Sequence, residues 1–423
     1  MDRRTFLLST AGLAATPDPS AWAPGPLGVA PATPADPFDA WRRSFIDKAS
    51  ATWPRDKLVQ ELAVLTADDR VIAADGRQPE LSRPIGDYIK GAVSTARIEQ
   101  GRARRTELAS TLDRVSSRTG VPAEILIAIW AVESAFGQMQ GDYDVIRSLA
   151  TLAYEGRRRD WAEDQLMAAL RILFSGEAAR DRLRGSWAGA MGQTQFMPDT
   201  YLSFAVDEDG DGRRDIWGSA PDALGSAGNY LSRRGAWRRG QGWQREVIVP
   251  PGFDYSVAEG PGQTWAQWQA LGLRTADGLD WRPNEVGEAA VFIVPAGWSG
   301  PAFLVLPNHM AIRTYNNSTS YALAVGLLAD RIAGQPPLVR AWPEDQPTSL
   351  ADRIAAQEAL TRLGFDTGGA DGVIGTRTRA AARAWQKSRG LPADGYLSYG
   401  LMQALKIQAG AINTPLIPAE AGT

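Results

Sequence analysis

Residues 121–141 read VPAEILIAIWAVESAFGQMQG, and from Ile125 to Phe136 nearly every side chain is apolar or small. A helix without a polar face has to be covered by other elements. This stretch therefore predicts a buried core helix, around which the rest of a helical domain must assemble. Ile125, Ile129, Val132 and Phe136 follow one another at spacings of 4, 3 and 4 and form its core stripe. Pro122 suits the first turn, and Gly137 suits the C-terminal end. One residue is out of place in such a helix. Glu133 lies one turn along from Ile129 and Trp130, beside the stripe and not opposite it. Apolar neighbours disfavour the charged carboxylate, and so does the partial negative charge of a helix C-terminus. Both effects are expected to keep its proton on towards neutral pH, which is what a general acid needs. From the helix alone, a surface glutamate or a structural ion pair fits equally.

Composition narrows the chemistry. The 423 residues include no cysteine and one histidine, His309. Disulfides, thiol nucleophiles and thiolate zinc sites are excluded. A Ser-His-Asp triad would have to use His309, and no G-x-S-x-G pattern accompanies it. Acid–base chemistry must rest mainly on carboxylates. A net charge of −3 gives no sign of nucleic-acid or membrane-surface binding, and the arginine clusters at 156–160 and 233–240 read as solvated faces. No run after the N-terminus has the length of a membrane span.

Along the chain, MDRRTFLLSTAGLAA has paired arginines, an apolar stretch and then small residues. It reads as an export signal of twin-arginine type, cleaved near Ala15 or Ala23, within an N-terminal signal and linker of residues 1–35. A soluble, monomeric periplasmic protein is the expectation. Amphipathic helices begin at Phe38. Between 241 and 311 proline and glycine become frequent, and REVIVP and AAVFIVPA read as short strands. STSYALAVGLLADRIAG returns to helix. The chain thus divides into a large, mainly helical domain at 36–335, a proline-rich linker at 336–348, a small helical module at 349–408 and a tail at 409–423.

Two further segments add to Glu133. GSWAGAMGQTQFMPDTY (185–201) combines glycines, two glutamines and aromatics, and IRTYNNSTSYALAV (312–325) places Tyr315 and Asn316 before a helix. Glycines admit close backbone approach; amides and flat rings are the usual equipment for sugars. In this order and spacing, these segments and AIWAVESAFG strongly resemble the B-type lytic murein transglycosylases. The resemblance covers residues 36–335, with DYIKGAVSTARIEQG and ESAFGQMQGDYDVIRSLATLAYEGRR extending it. It implies a mainly α, lysozyme-like catalytic domain acting on peptidoglycan glycan strands without a required cofactor. Glu133 would be the sole acid/base. Ser186, Gln195, Tyr315 and Asn316 would line the cleft around the cleaved sugar, with Met191 and Tyr230 as cleft walls. It further implies that Glu133 protonates the bond between N-acetylmuramic acid and N-acetylglucosamine. The substrate's N-acetyl group then steadies the cation, and O6 closes a 1,6-anhydro ring without water.

Residues 354–405 resemble the three-helix peptidoglycan-binding domain. Leu360, Leu363, Ala381, Ala384, Trp385, Leu401 and Leu405 are its expected core, with Thr376 or Thr378 opening a helix that stops at Gly390. VDEDGDGRRDIWG puts Asp207, Asp209, Asp211 and Asp215 at positions 1, 3, 5 and 9 of an EF-hand loop, a form such transglycosylases can carry. Position 12, the usual bidentate carboxylate, is Gly218. A weak calcium site and a metal-free acidic turn both fit. A water-using muramidase and a catalytically silent wall-binding protein remain the alternatives for the whole chain.

Overall fold

The structure, a computed structural model, describes residues 36–75 and 83–412. The expected signal at 1–35 lies outside the described residues, as does the part of the expected tail (409–423) beyond 412; its first residues, 409–412, instead continue the last helix of the C-terminal module.

The first core forms around the apolar helix. Helices α1 (Pro37–Ala49), α2 (Arg55–Leu62) and α3 (Asp69–Asp75) lead into α4 (Ile85–Ala92), α5 (Thr95–Glu107), α6 (Ala109–Thr119) and α7 (Ala123–Ser134). In α7 the side chains of Leu126, Ile127, Ala128, Ile129 and Ala131 are all fully buried, so the helix is covered on every side. Its neighbours are α4 to α6, α11 (Ala220–Arg233), α13 (Pro307–Tyr315) and α14 (Thr319–Ile332). Pro122 is the N-cap residue and not part of the first turn, and the helix stops at Ser134, earlier than Gly137.

A second core joins α1 and α2 to α8 (Val145–Glu155), α9 (Arg159–Phe174) and α10 (Pro198–Phe204). Asp144 caps α8 by accepting the Arg147 N–H. Tyr230 and Tyr315 pack against both cores and therefore mark the seam between them. Strand β1 (Tyr143–Asp144) pairs antiparallel with β2 (Arg184–Gly185) along the second core.

The strand-like segment folds as an antiparallel sheet. Its strands are β3 (Gln244–Ile248), β4 (Arg274–Thr275), β5 (Val291–Ile293) and β6 (Ala302–Val305), in the order β4-β3-β6-β5. Helix α12 (Trp265–Ala270) covers it with Trp265 and Trp268. The sequence patterns located β3 and β5; β6 and the short β4 carry no alternation to reveal them.

The C-terminal module is three helices, α15 (Leu350–Arg362), α16 (Thr376–Ser388) and α17 (Tyr399–Ile412). Leu360, Ala381, Trp385 and Leu405 are buried, while Leu363 and Leu401 are partly covered. Ala384 faces outward, because the buried stripe of α16 runs through Thr378, Ala381, Ala382 and Trp385 and leaves position 384 off it.

The proline-rich linker is strapped down. The N–H groups of Val339 and Arg340 donate to the Glu246 carboxylate at 2.8 and 2.9 Å, and Trp342 lies against Phe303. The module itself is docked. Glu259 pairs with Arg379 at 2.8 Å and Arg383 at 2.5 Å, and the Trp298 N–H donates to Asp394. Asp345 in the linker accepts from the Tyr396 hydroxyl and the Tyr399 N–H.

Candidate active site

The end of α7 is unusual in its backbone. Ala135, Phe136 and Gly137 all take positive φ, at 49°, 61° and 83°. A side chain in this region costs about 1–2 kcal/mol, so Ala135 and Phe136, two in a row, must be held from outside. Ser134 Oγ donates to the Gln193 carbonyl at 2.5 Å and accepts from Gly137 N–H at 2.8 Å. Trp130 Nε1 donates to Gln193 Oε1 at 2.9 Å, and the Phe136 ring meets Trp130 edge-on. The chain turns off the helix axis at this point, which leaves Glu133 half-buried on the final turn.

Glu133 is held from a neighbouring helix of the same core. The hydroxyl of Tyr321, in the first turn of α14, donates to Glu133 Oε1 at 2.5 Å. Tyr321 is positioned by Ser318, whose side chain caps the helix and accepts the Tyr321 N–H. Its ring lies nearly parallel to that of Tyr315, with centroids 6.5 Å apart. Burial, and next the charge of Glu133, push the Tyr321 phenol well above its ordinary range. Tyr321 therefore keeps its proton and remains a donor. Burial acts in the same way on Tyr315, whose hydroxyl donates to the Thr194 carbonyl at 2.7 Å.

The glycine-rich segment at 185–197 supplies the facing wall. The Ser186 hydroxyl accepts from Ala190 N–H at 3.1 Å, and the backbones of Met191 and Phe196 pair with each other. Gln195 has φ 51° and donates through Nε2 to the carbonyls of Gln140 and Gly192. The Phe196 ring touches both Tyr230 and Tyr315, and those two meet edge-on with centroids 5.1 Å apart. Tyr230 in turn donates to the Thr314 carbonyl.

A continuous set of contacts thus runs from Glu133 through Tyr321 and Tyr315 to the 185–197 segment and Tyr230. Asn316 follows directly and is exposed. Ser186 and Gln195 share the segment. Met191 departs from expectation: it is fully buried in the second core and supports the segment from behind, so it lines no cleft. Tyr321, Gln193, Ser134 and Trp130 are the residues that sequence reasoning missed.

His309 and the acidic residues that follow α7 are placed differently. His309 is buried, stacked on Trp243, and burial lowers its pKa to about 3, so it is a neutral core ring. Asp144 is committed to the α8 cap and to Arg180 at 2.7 Å. Asp142 is exposed beside Arg70.

In the acidic loop, Asp207, Asp209, Asp211 and Asp222 bring carboxylate oxygens within 4.8 Å of one another. Asp215 lies outside that group; it pairs with Arg182 and accepts the N–H groups of Trp217 and Gly218. Asp222, third residue of α11, stands in from the helix that follows the loop. It is fully buried and accepts from the N–H groups of Glu208, Asp209 and Asp215, and burial raises its pKa. Four carboxylates around one point match the hard oxygen ligands that calcium takes.

A helical domain with one carboxylate at the end of its buried central helix, facing a glycine-rich aromatic wall, defines a lysozyme-like glycan-cleaving class. The transglycosylase SLT domain family matches residues 37–330, and the chain belongs to it. Residues 349–405 match the putative peptidoglycan binding domain. Membrane-bound lytic murein transglycosylase B of Escherichia coli (strain K12) is 31% identical over 256 residues, an alignment covering 58% of this chain and 66% of that protein. Among solved structures, SltB3 from Pseudomonas aeruginosa in complex with NAG-anhNAM-pentapeptide is 47% identical with a TM-score of 0.83. That alignment covers 87% of this chain and 99% of SltB3. Escherichia coli Slt35 in complex with calcium is 29% identical with a TM-score of 0.58, over 69% of this chain and 92% of the other. No helix among the described residues is long and apolar enough by itself to cross a membrane.

Proposed function

We propose that the chain is a peptidoglycan lytic transglycosylase. It cleaves the β-1,4 bond between N-acetylmuramic acid and N-acetylglucosamine and leaves 1,6-anhydro ends. The observation that carries this reading is the Glu133 carboxyl, set at the end of the buried helix of the first core and held by the Tyr321 hydroxyl. Protonated Glu133 gives its proton to the bridging oxygen as the C1–O bond breaks. The substrate's N-acetyl group steadies the developing cation. Glu133, now ionised, takes the proton of the muramyl O6 as that oxygen bonds to C1. Atoms balance without water. The two-carboxylate schemes of ordinary glycosidases need a second acid at a set distance. The commitment of Asp144 to the α8 cap and to Arg180 supports the single-acid route.

Ser186, Gln195, Tyr230, Tyr315 and Asn316 are the sugar-contacting residues in this reading, and the C-terminal module holds the enzyme to the wall. Asp207, Asp209, Asp211 and Asp222 would hold a calcium ion that stiffens the loop ahead of α11. The likeness to Slt35, solved with calcium, supports this. The protein acts in the periplasm as a monomer, exported by the twin-arginine-like N-terminus.

The test is mass spectrometry of muropeptides released from purified sacculi. Anhydro ends, lighter by one water than reducing ends, are expected. A majority of ends reducible by borohydride would replace the lyase with a muramidase.

A further inference from the structure

We infer that Gln193 is a positioning residue that sets the reach of Glu133 by locking the end of α7 to the sugar-facing segment. Gln193 is buried, and all four of its polar groups are engaged. Its N–H donates to Ile216 O at 2.9 Å and its carbonyl accepts from Ser134 Oγ at 2.5 Å. Its Oε1 accepts from Trp130 Nε1 at 2.9 Å, and its Nε2 donates to Trp217 O at 3.2 Å. Two of these partners, Trp130 and Ser134, flank Glu133 on the same helix. The Trp217 carbonyl is shared with Gln140 Nε2, and the Gln140 carbonyl accepts from Gln195 Nε2. One amide therefore links the helix that carries the acid to the segment that carries Ser186 and Gln195.

The contact is also tight. A Cβ at Gly137 would fall 2.5 Å from Gln193 Oε1, so the amide fills the notch that the left-handed turn creates. Backbone strain of this kind persists only where surrounding contacts over-determine it, and it concentrates at functional sites. Here the strained residues, Ala135 and Phe136, come two and three residues after Glu133. A displacement of about 1 Å at a reacting group can cost on the order of 100-fold in rate. Holding this turn is thus a kinetic matter as much as one of stability. Because Gln193 is covered, its effect reaches substrate only through Glu133 and the segment.

The inference rests on the lyase reading above. The test compares wild type with Gln193→Leu and Trp130→Phe, singly and together, in the full chain. The substrate is a soluble tetrasaccharide of alternating N-acetylglucosamine and N-acetylmuramic acid. Expected for Q193L is a kcat lower by roughly 10- to 100-fold per folded molecule, with KM within about threefold. W130F should lower kcat in the same way, and the double variant should be no worse than Q193L, because both break one link. Amide hydrogen exchange at Phe136 and Gly137 should accelerate in Q193L. An unchanged kcat per folded molecule would show a purely structural role. A raised KM with kcat kept would show a binding role. Either result, or unchanged exchange at those two amides, overturns the inference. Should Q193L not fold, W130F carries the same comparison. A wild type inert on the tetrasaccharide counts against the lyase reading, and the exchange experiment then still decides whether Gln193 holds the turn.

Discussion

Replacing Gly137 with alanine isolates what holds the end of α7. Two costs add at this position. The first is conformational: Gly137 sits at φ 83°, where a Cβ costs about 1–2 kcal/mol. The second is steric and polar, since the new Cβ would lie 2.5 Å from Gln193 Oε1 and 3.0 Å from its amide carbon. Gln193 would have to retreat, leaving the buried Trp130 Nε1 without its acceptor, a loss of about 1–3 kcal/mol. The sum is about 2–5 kcal/mol, or roughly 3–8 °C in melting temperature for a domain of this size. Gly176 is the control. Its φ is 76°, but nothing lies within 4 Å of where a Cβ would stand, so Gly176→Ala should cost only the conformational part, about 1–2 kcal/mol. Thermal melting of the two variants and wild type gives the comparison. If Gly137→Ala melts no lower than Gly176→Ala, the Gln193 contact contributes nothing, and the account of this turn fails.

Glu133→Gln should fold as wild type and release anhydro muropeptides from sacculi roughly 10²- to 10⁴-fold more slowly; near-normal release would remove Glu133 from the mechanism. Asp330, beneath Trp243, has its pKa raised to about 6, first by burial. An acid raised in this way favours its neutral form in the fold, so stability is fullest below the unfolded pKa and falls as pH rises through about 6. Asp330→Asn should therefore melt above wild type at pH 7–8, with the gap closing near pH 4; melting curves across that range check it. Calcium should raise the melting temperature only at millimolar concentration, because position 12 of the loop is Gly218 and Asp222, which stands in, already spends its oxygens on three backbone N–H groups; a large shift at micromolar calcium would mean that Asp222 replaces the missing bidentate ligand in full. Removing residues 349–423 should leave a folded, active domain that melts somewhat lower, since Arg379 and Arg383 no longer cover Glu259, and that pellets less with insoluble peptidoglycan; equal pelleting would deny the module its anchoring role.

What the sequence made legible was local. The central helix declares itself because apolar residues surround it on every side, and Glu133 stands out because nothing nearby explains it. The 185–197 segment is recognisable by its glycines and amides. Contacts made across the fold are another matter. Tyr321 meets Glu133 over a separation of 188 residues, and in the sequence it is one tyrosine among several near a helix start. Met191 lies in a segment built for ligand approach, yet its side chain turns inward, since a residue's face in irregular backbone follows no period. Asp222 reads as an ordinary acidic residue in the first turn of a helix, and only folding brings it to the acidic loop that Gly218 leaves incomplete.

The two domains are joined by contacts of the same long-range kind. A proline-rich linker ordinarily signals a semi-rigid spacer between independent units. Here Glu246 and Asp345 fasten the linker, and Glu259 receives two guanidinium groups from α16. Glu259 reaches them from a backbone with φ 59°, a conformation that a side-chain-bearing residue adopts only when its surroundings hold it there. None of these pairings lies within 50 residues in sequence, so no pattern of spacing announces them. Exposed ion pairs contribute little one at a time. These are part-buried, share one carboxylate, and act beside the Trp298–Asp394 bond, so the module is oriented as well as attached. A module fastened in this way keeps one orientation relative to the catalytic domain, whereas a freely tethered one would only raise the local concentration of the enzyme wherever it binds.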